Sequence, residues 1–80
     1  MRLPRDVSGE ALATRLTRLG YIPTRQTGSH LRLTTERDGE HHVTIPLHSP
    51  LRIGTLSGIL SDIAEHHRLD REALLTLLFS

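Results

Sequence analysis

Six histidines and ten basic residues, every one of them arginine, are the chemical equipment of an 80-residue chain that contains no cysteine. A histidine with its reference pKa of about 6.5 can take or give a proton near neutral pH. An arginine fork matches phosphate in a bidentate contact that an ammonium group cannot reproduce. GC-rich coding also yields arginine in place of lysine, so that usage assigns nothing by itself. Without cysteine there is no disulfide framework and no thiolate metal site. The doublet His41-His42 points to opposite faces of a strand, and His66-His67 diverges on a helix. Neither has the i, i+4 spacing of a metal-binding pair, so no metal and no other cofactor is expected. Ser29 reads as a turn residue rather than a nucleophile, because no Ser-His-Asp arrangement is visible.

These residues sit on elements that the hydrophobic pattern outlines. Leu12, Leu16 and Leu19 recur on one helix face, with Ser8 as N-cap, Glu10 in the first turn, and Gly20 closing a helix over about Gly9 to Leu19. Tyr21 to Gln26 is a short strand, and Pro23 places it at an edge. After the turn Thr27-Gly28-Ser29, the segment His30 to Thr34 alternates, with Leu31 and Leu33 on one face. A loop over Glu36 to Glu40 leads to a third strand in which Val43, Ile45 and Leu47 alternate with His42, Thr44 and Pro46. A second amphipathic helix runs from about Gly54-Thr55 to His67. Asp70 caps a last helix carrying Leu74, Leu75, Leu77, Leu78 and Phe79. The order predicts one α+β domain over residues 1–80, a three-stranded antiparallel sheet with helices packed on one face and a short C-terminal helix. The apolar arc of that last helix is wider than one core face needs, so it completes the core or meets another chain.

A three-residue hairpin loop, Arg37-Asp38-Gly39, sets the register by counting. Leu33 then lies opposite Val43 and Leu31 opposite Ile45, and a slip of one residue would mix leucine with threonine across the pair. On the other face Arg32 lies opposite Thr44, Thr34 opposite His42, and His30 opposite Pro46. His48 becomes the diagonal neighbour of His30, at about 7–8 Å between backbones and within side-chain reach. From the residues alone, a surface strand histidine after a turn is the ordinary reading of His30, with acid–base chemistry the alternative.

Charge is nearly balanced, 10 basic against 9 acidic residues, for a formal +1. Bulk electrostatics is therefore not how this chain would hold a nucleic acid. No apolar run approaches the roughly 20 residues that span a bilayer, so no membrane partner is expected. Arg2, Pro4, Arg5 and Asp6 interrupt any early apolar stretch, which makes the cytoplasm the expected location.

The opening Arg2-Leu3-Pro4-Arg5-Asp6-Val7-Ser8-Gly9 leads into a helix ending Leu19-Gly20-Tyr21. Gln26-Thr27-Gly28-Ser29-His30, Val43-Thr44-Ile45-Pro46-Leu47-His48 and Gly54-Thr55-Leu56 follow in order. This ordered set, over roughly residues 2 to 78, resembles the HicA family of bacterial toxins, also called YcfA-like proteins. The resemblance implies a fold like the double-stranded-RNA-binding domain and an endoribonuclease that cuts messenger RNA without a metal. It also implies a HicB-like antitoxin protein that covers the site. The family's functional histidine, in Gly-Ser-His, maps onto His30. His30 is then the expected general base or acid and His48 its complement, with Arg32, Arg25, Ser29 and Thr44 as RNA-binding residues. The competing expectation is a non-catalytic RNA- or protein-binding module of the same fold, and the near-neutral charge favours its protein-binding form.

Overall fold

Ser8 is extended, and its Oγ accepts the Ala11 N–H at 3.0 Å, which starts helix α1 (Gly9–Leu16). In the computed structural model, which describes residues 3–80, the α-helix does not continue to Leu19 as expected. Thr17–Leu19 form a 3₁₀ turn that closes on Gly20 at φ 81°. The tighter turn lets Leu19 stay in the core while Gly20 reverses the chain. Arg2 of the opening motif lies outside the described residues.

Strands β1 (Ile22–Thr27), β2 (His30–Thr35) and β3 (His41–Pro46) form an antiparallel sheet in that order. Between β2 and β3 the register is the one the alternation demands: Leu33 pairs with Val43, Leu31 with Ile45, Arg32 with Thr44, Thr34 with His42, and His30 with Pro46. The first strand departs from expectation. It begins at Ile22, one residue late, and its pairing slips between Pro23 and Arg25, where Thr24 is the extra residue. Pro23 has no N–H to offer the ladder, and a bulge beside it is the usual accommodation. All six β1 residues are exposed, so the greasy face expected of three strands belongs to β2 and β3 alone. The alternation expected to run on to Leu47 stops at Pro46.

Helix α2 (Ile53–His67) begins slightly before Gly54, and α3 (Arg71–Phe79) is capped by Asp70, whose carboxylate accepts the Ala73 N–H at 2.7 Å. Leu12 and Leu16 of α1, Leu33 and Ile45 of the sheet, and Leu60 and Ile63 of α2 are fully buried together. From α3, Leu74, Leu75 and Leu78 complete this core, while Leu77 stays 36% exposed. Each fully buried Leu contributes about 1.5–3 kcal/mol relative to exposure, which matters in a chain this short. Arg15 of α1 and Arg18 of the 3₁₀ turn donate to the carbonyls of Leu78 (3.0 Å) and Leu77 (2.9 Å), so two cations sit where the dipole of α3 is negative. The order α-β-β-β-α-α around an antiparallel sheet is consistent with the double-stranded-RNA-binding-domain architecture. Among the described residues no helix is long and apolar enough to cross a membrane.

Candidate functional site

Gly28 takes φ 58° in the two-residue turn between β1 and β2, and the turn delivers His30 as the first residue of β2. Three backbone hydrogen bonds bring the segment after β3 up to it. Leu47 N–H donates to the Ser29 carbonyl at 2.6 Å, Gly9 N–H to the His48 carbonyl at 2.9 Å, and Leu51 N–H to the Val7 carbonyl at 2.8 Å. Gly9 is required there, because a Cβ at this position would overlap the Pro46 carbonyl oxygen. The result is a cleft of about 250 Å³ lined by His30, Pro46, His48, Leu51, Arg52 and Thr55.

His30 and His48 are both exposed and face this one cleft, and no carboxylate lines it. The other candidates assemble beside it. Arg25 of β1 is the register partner of Arg32 of β2, and Thr44 of β3 pairs with Arg32 from the other side. These three lie in a row across the sheet, two residues along β2 from His30, but they do not line the cleft. Ser29 is exposed in the turn. Like charges directly opposite on neighbouring strands repel, and neither arginine has an ion-pair partner among the described residues, so Arg25 and Arg32 would gain from an anion between them. Arg52 and Thr55 were not anticipated. The available signal was their position straight after the His48 segment, at the start of α2, which has no side-chain cap and no acidic residue in its first turn.

A second histidine cluster was also missed. The Tyr21 hydroxyl, on a fully buried residue, lies 2.7 Å from His41 Nδ1 and 3.0 Å from His67 Nε2. His67 Nδ1 lies 2.9 Å from Asp38 Oδ2, and His41 Nε2 is 3.4 Å from Asp62. The doublet His66-His67 does not diverge as expected: the two rings approach to 4.7 Å, because both turn toward the β2–β3 hairpin. His66 Nε2 lies within hydrogen-bond distance of the Arg37 and Gly39 carbonyls, and its ring stacks on His41 at 4.2 Å. A carboxylate only accepts, so His67 Nδ1 carries a proton and, in the neutral ring, Nε2 accepts a hydrogen bond from the tyrosine hydroxyl. Burial, with the Asp62 carboxylate adding to it, raises the phenol above its ordinary range and keeps it protonated. The His67 hydrogen bond holds the Asp38 carboxyl below its usual range.

Acid, imidazole and hydroxyl in line resemble the relay of a nucleophilic enzyme, but no substrate reaches the Tyr21 oxygen. The cluster fastens the hairpin to the end of α2. Among the described residues no group of three or more histidine and acidic side chains is placed to hold a metal ion. The larger, shallow hollow over α3, between Asp70 and Leu77, contains none of the six histidines.

The fold and the cleft together define a small α+β domain that sets two solvent-facing histidines at one end of an antiparallel sheet. The family model for the HicA toxin of bacterial toxin–antitoxin systems matches residues 9–64, and the chain belongs to that family. The match runs from α1 through most of α2, includes both sides of the His30 cleft, and stops before α3. No curated protein and no solved structure matches the chain. Membership of a toxin–antitoxin family implies an antitoxin partner.

Proposed function

We propose that the chain is a metal-independent endoribonuclease that cuts messenger RNA at the His30 cleft and is neutralised by a HicB-like antitoxin covering it. The observation that carries this reading is the convergence of His30 and His48 on one acid-free cleft in a member of a toxin family. RNA brings its own nucleophile. One imidazole takes the proton from the 2′-OH as that oxygen attacks the adjacent phosphorus, and the other gives a proton to the departing 5′-oxygen. The P–O5′ bond breaks as the new P–O2′ bond forms, leaving a 2′,3′-cyclic phosphate and a 5′-hydroxyl. Acid–base catalysis of this kind supplies about 10²–10⁴-fold. Arg25 and Arg32, with Ser29 and Thr44 beside them, hold the neighbouring backbone, where arginine forks are suited to phosphate oxygens.

Induced expression of the wild type beside His30→Ala, with transcript integrity as the readout, tests the reading. The wild type should fragment transcripts and arrest growth, whereas a folded His30→Ala protein should do neither and should still bind the antitoxin. Cleavage by the purified wild type should persist in excess EDTA and yield cyclic-phosphate ends. A His30→Ala protein that stays folded and still arrests growth without cutting RNA would make the chain a binding module.

A further inference from the structure

The arginines divide by what their side chains touch. Arg15, Arg18, Arg37 and Arg71 donate to backbone carbonyls, Arg71 also to serine hydroxyls, and these contacts hold elements together. Arg5, Arg25, Arg32, Arg52 and Arg68 make no side-chain hydrogen bond or ion pair among the described residues. Of these five, Arg52 alone lines the cleft with His30 and His48. Arg25 and Arg32 sit about 7 Å further along the strand direction, the distance of two strand residues.

We infer that Arg52 is the catalytic phosphate clamp of the cleft, donating to the non-bridging oxygens of the scissile phosphate with the Thr55 hydroxyl as a second donor. The inference rests on the ribonuclease reading above. Its physical need is plain: attack by the 2′-oxygen gathers negative charge on the phosphorane oxygens, and two imidazoles that are busy exchanging protons cannot also hold a fixed counter-charge. Arginine is charged at every relevant pH and presents two parallel donors. In a preorganised site such a group acts most strongly where charge develops in the transition state. Arg52 is exposed, and the cleft lining contains no carboxylate to occupy it. Arg25 and Arg32 then take the adjacent phosphate, so the RNA runs along β2 past His30.

The test is single-turnover cleavage of an RNA oligonucleotide at saturating protein. Wild type is compared with Arg52→Ala, Arg52→Gln, Arg5→Ala and His30→Ala, each checked for folding by circular dichroism. Binding is measured separately on the same oligonucleotide carrying 2′-deoxyribose at the cleavage position, which cannot be cut. Arg52→Ala and Arg52→Gln should lose about 10²–10³-fold in rate, the typical cost of removing one transition-state donor. Their affinity should fall far less, and Arg5→Ala should match wild type. If either folded Arg52 variant cuts at the wild-type rate while His30→Ala does not, Arg52 is not the clamp and the ribonuclease reading stands. A folded His30→Ala protein that cuts at the wild-type rate overturns both.

Discussion

Tyr21 shows how much a single polar atom can hold in a small domain. Its hydroxyl satisfies two imidazoles that come from β3 and from the end of α2. Replacing it with phenylalanine keeps the ring in the core but leaves both nitrogens without a partner, and a buried polar group left unpaired costs about 1–3 kcal/mol. Tyr21→Phe should therefore lower the urea midpoint by a corresponding amount while a folded sample still cuts RNA, because the cluster is remote from the cleft. Asp38 makes the same joint sensitive to acid. Its folded-state pKa lies below its unfolded value, so its contribution is complete above the unfolded value and disappears as pH falls through the folded one. Asp38→Asn should flatten the acid side of the stability–pH curve measured by denaturant melts, and leave its slope near neutral pH unchanged, because the wild-type carboxyl is ionised there in both folded and unfolded chains.

At the level of elements, the start of α1 positions the cleft as much as the strands do. Gly9 approaches the β3 end so closely that a methyl group has no room, and its N–H holds the His48 carbonyl. Gly9→Ala must move backbone rather than a flexible side chain, at about 1–3 kcal/mol for overpacking. It should lower the melting temperature and, by displacing His48, slow RNA cleavage in the fraction that remains folded. Helix α3 lies beyond the residues that the family model matches, yet it fills the core with Leu74, Leu75 and Leu78. Leu78→Ala should cost about 2–5 kcal/mol in denaturant unfolding, the range for a fully buried leucine. Had α3 served a partner instead of the core, that substitution would leave the isolated chain unchanged.

Across the whole molecule, a formal charge of +1 leaves no diffuse positive field to collect RNA. In the proposed function, affinity for RNA then depends on a few placed arginines, among them the cross-strand pair Arg25 and Arg32. Arg32→Ala should weaken binding of an uncleavable RNA by a similar factor for every sequence tried, and reduce the slope of log affinity against log salt by about 1. Because the substitution also removes a like-charge repulsion, stability should hold or rise slightly. Unchanged affinity at several salt concentrations would place the RNA off this face.

The β2–β3 register was legible in the residues because strand side chains alternate with period two. One alignment turns Leu31, Leu33, Val43 and Ile45 together toward the core, and its neighbours split them between the two faces. The caps at Ser8 and Asp70 and the reversal at Gly20 were legible for a similar reason, since each meets a local backbone demand within three or four residues. The convergence of Tyr21, Asp38, His41 and His67 was not. Only the inward parity of His41, shared with Val43 and Ile45, hinted at it, and hydrogen bonds between residues 46 apart in the chain leave no periodic trace. The bulge at Thr24 followed from how the ladder adjusts to Pro23, and the placement of Arg52 beside His30 from where α2 begins after the Leu47–Leu51 segment is tied down. Local chemistry decides which elements form and which way their side chains alternate. Which distant side chains meet depends on how those elements pack, and only the tertiary structure decides that.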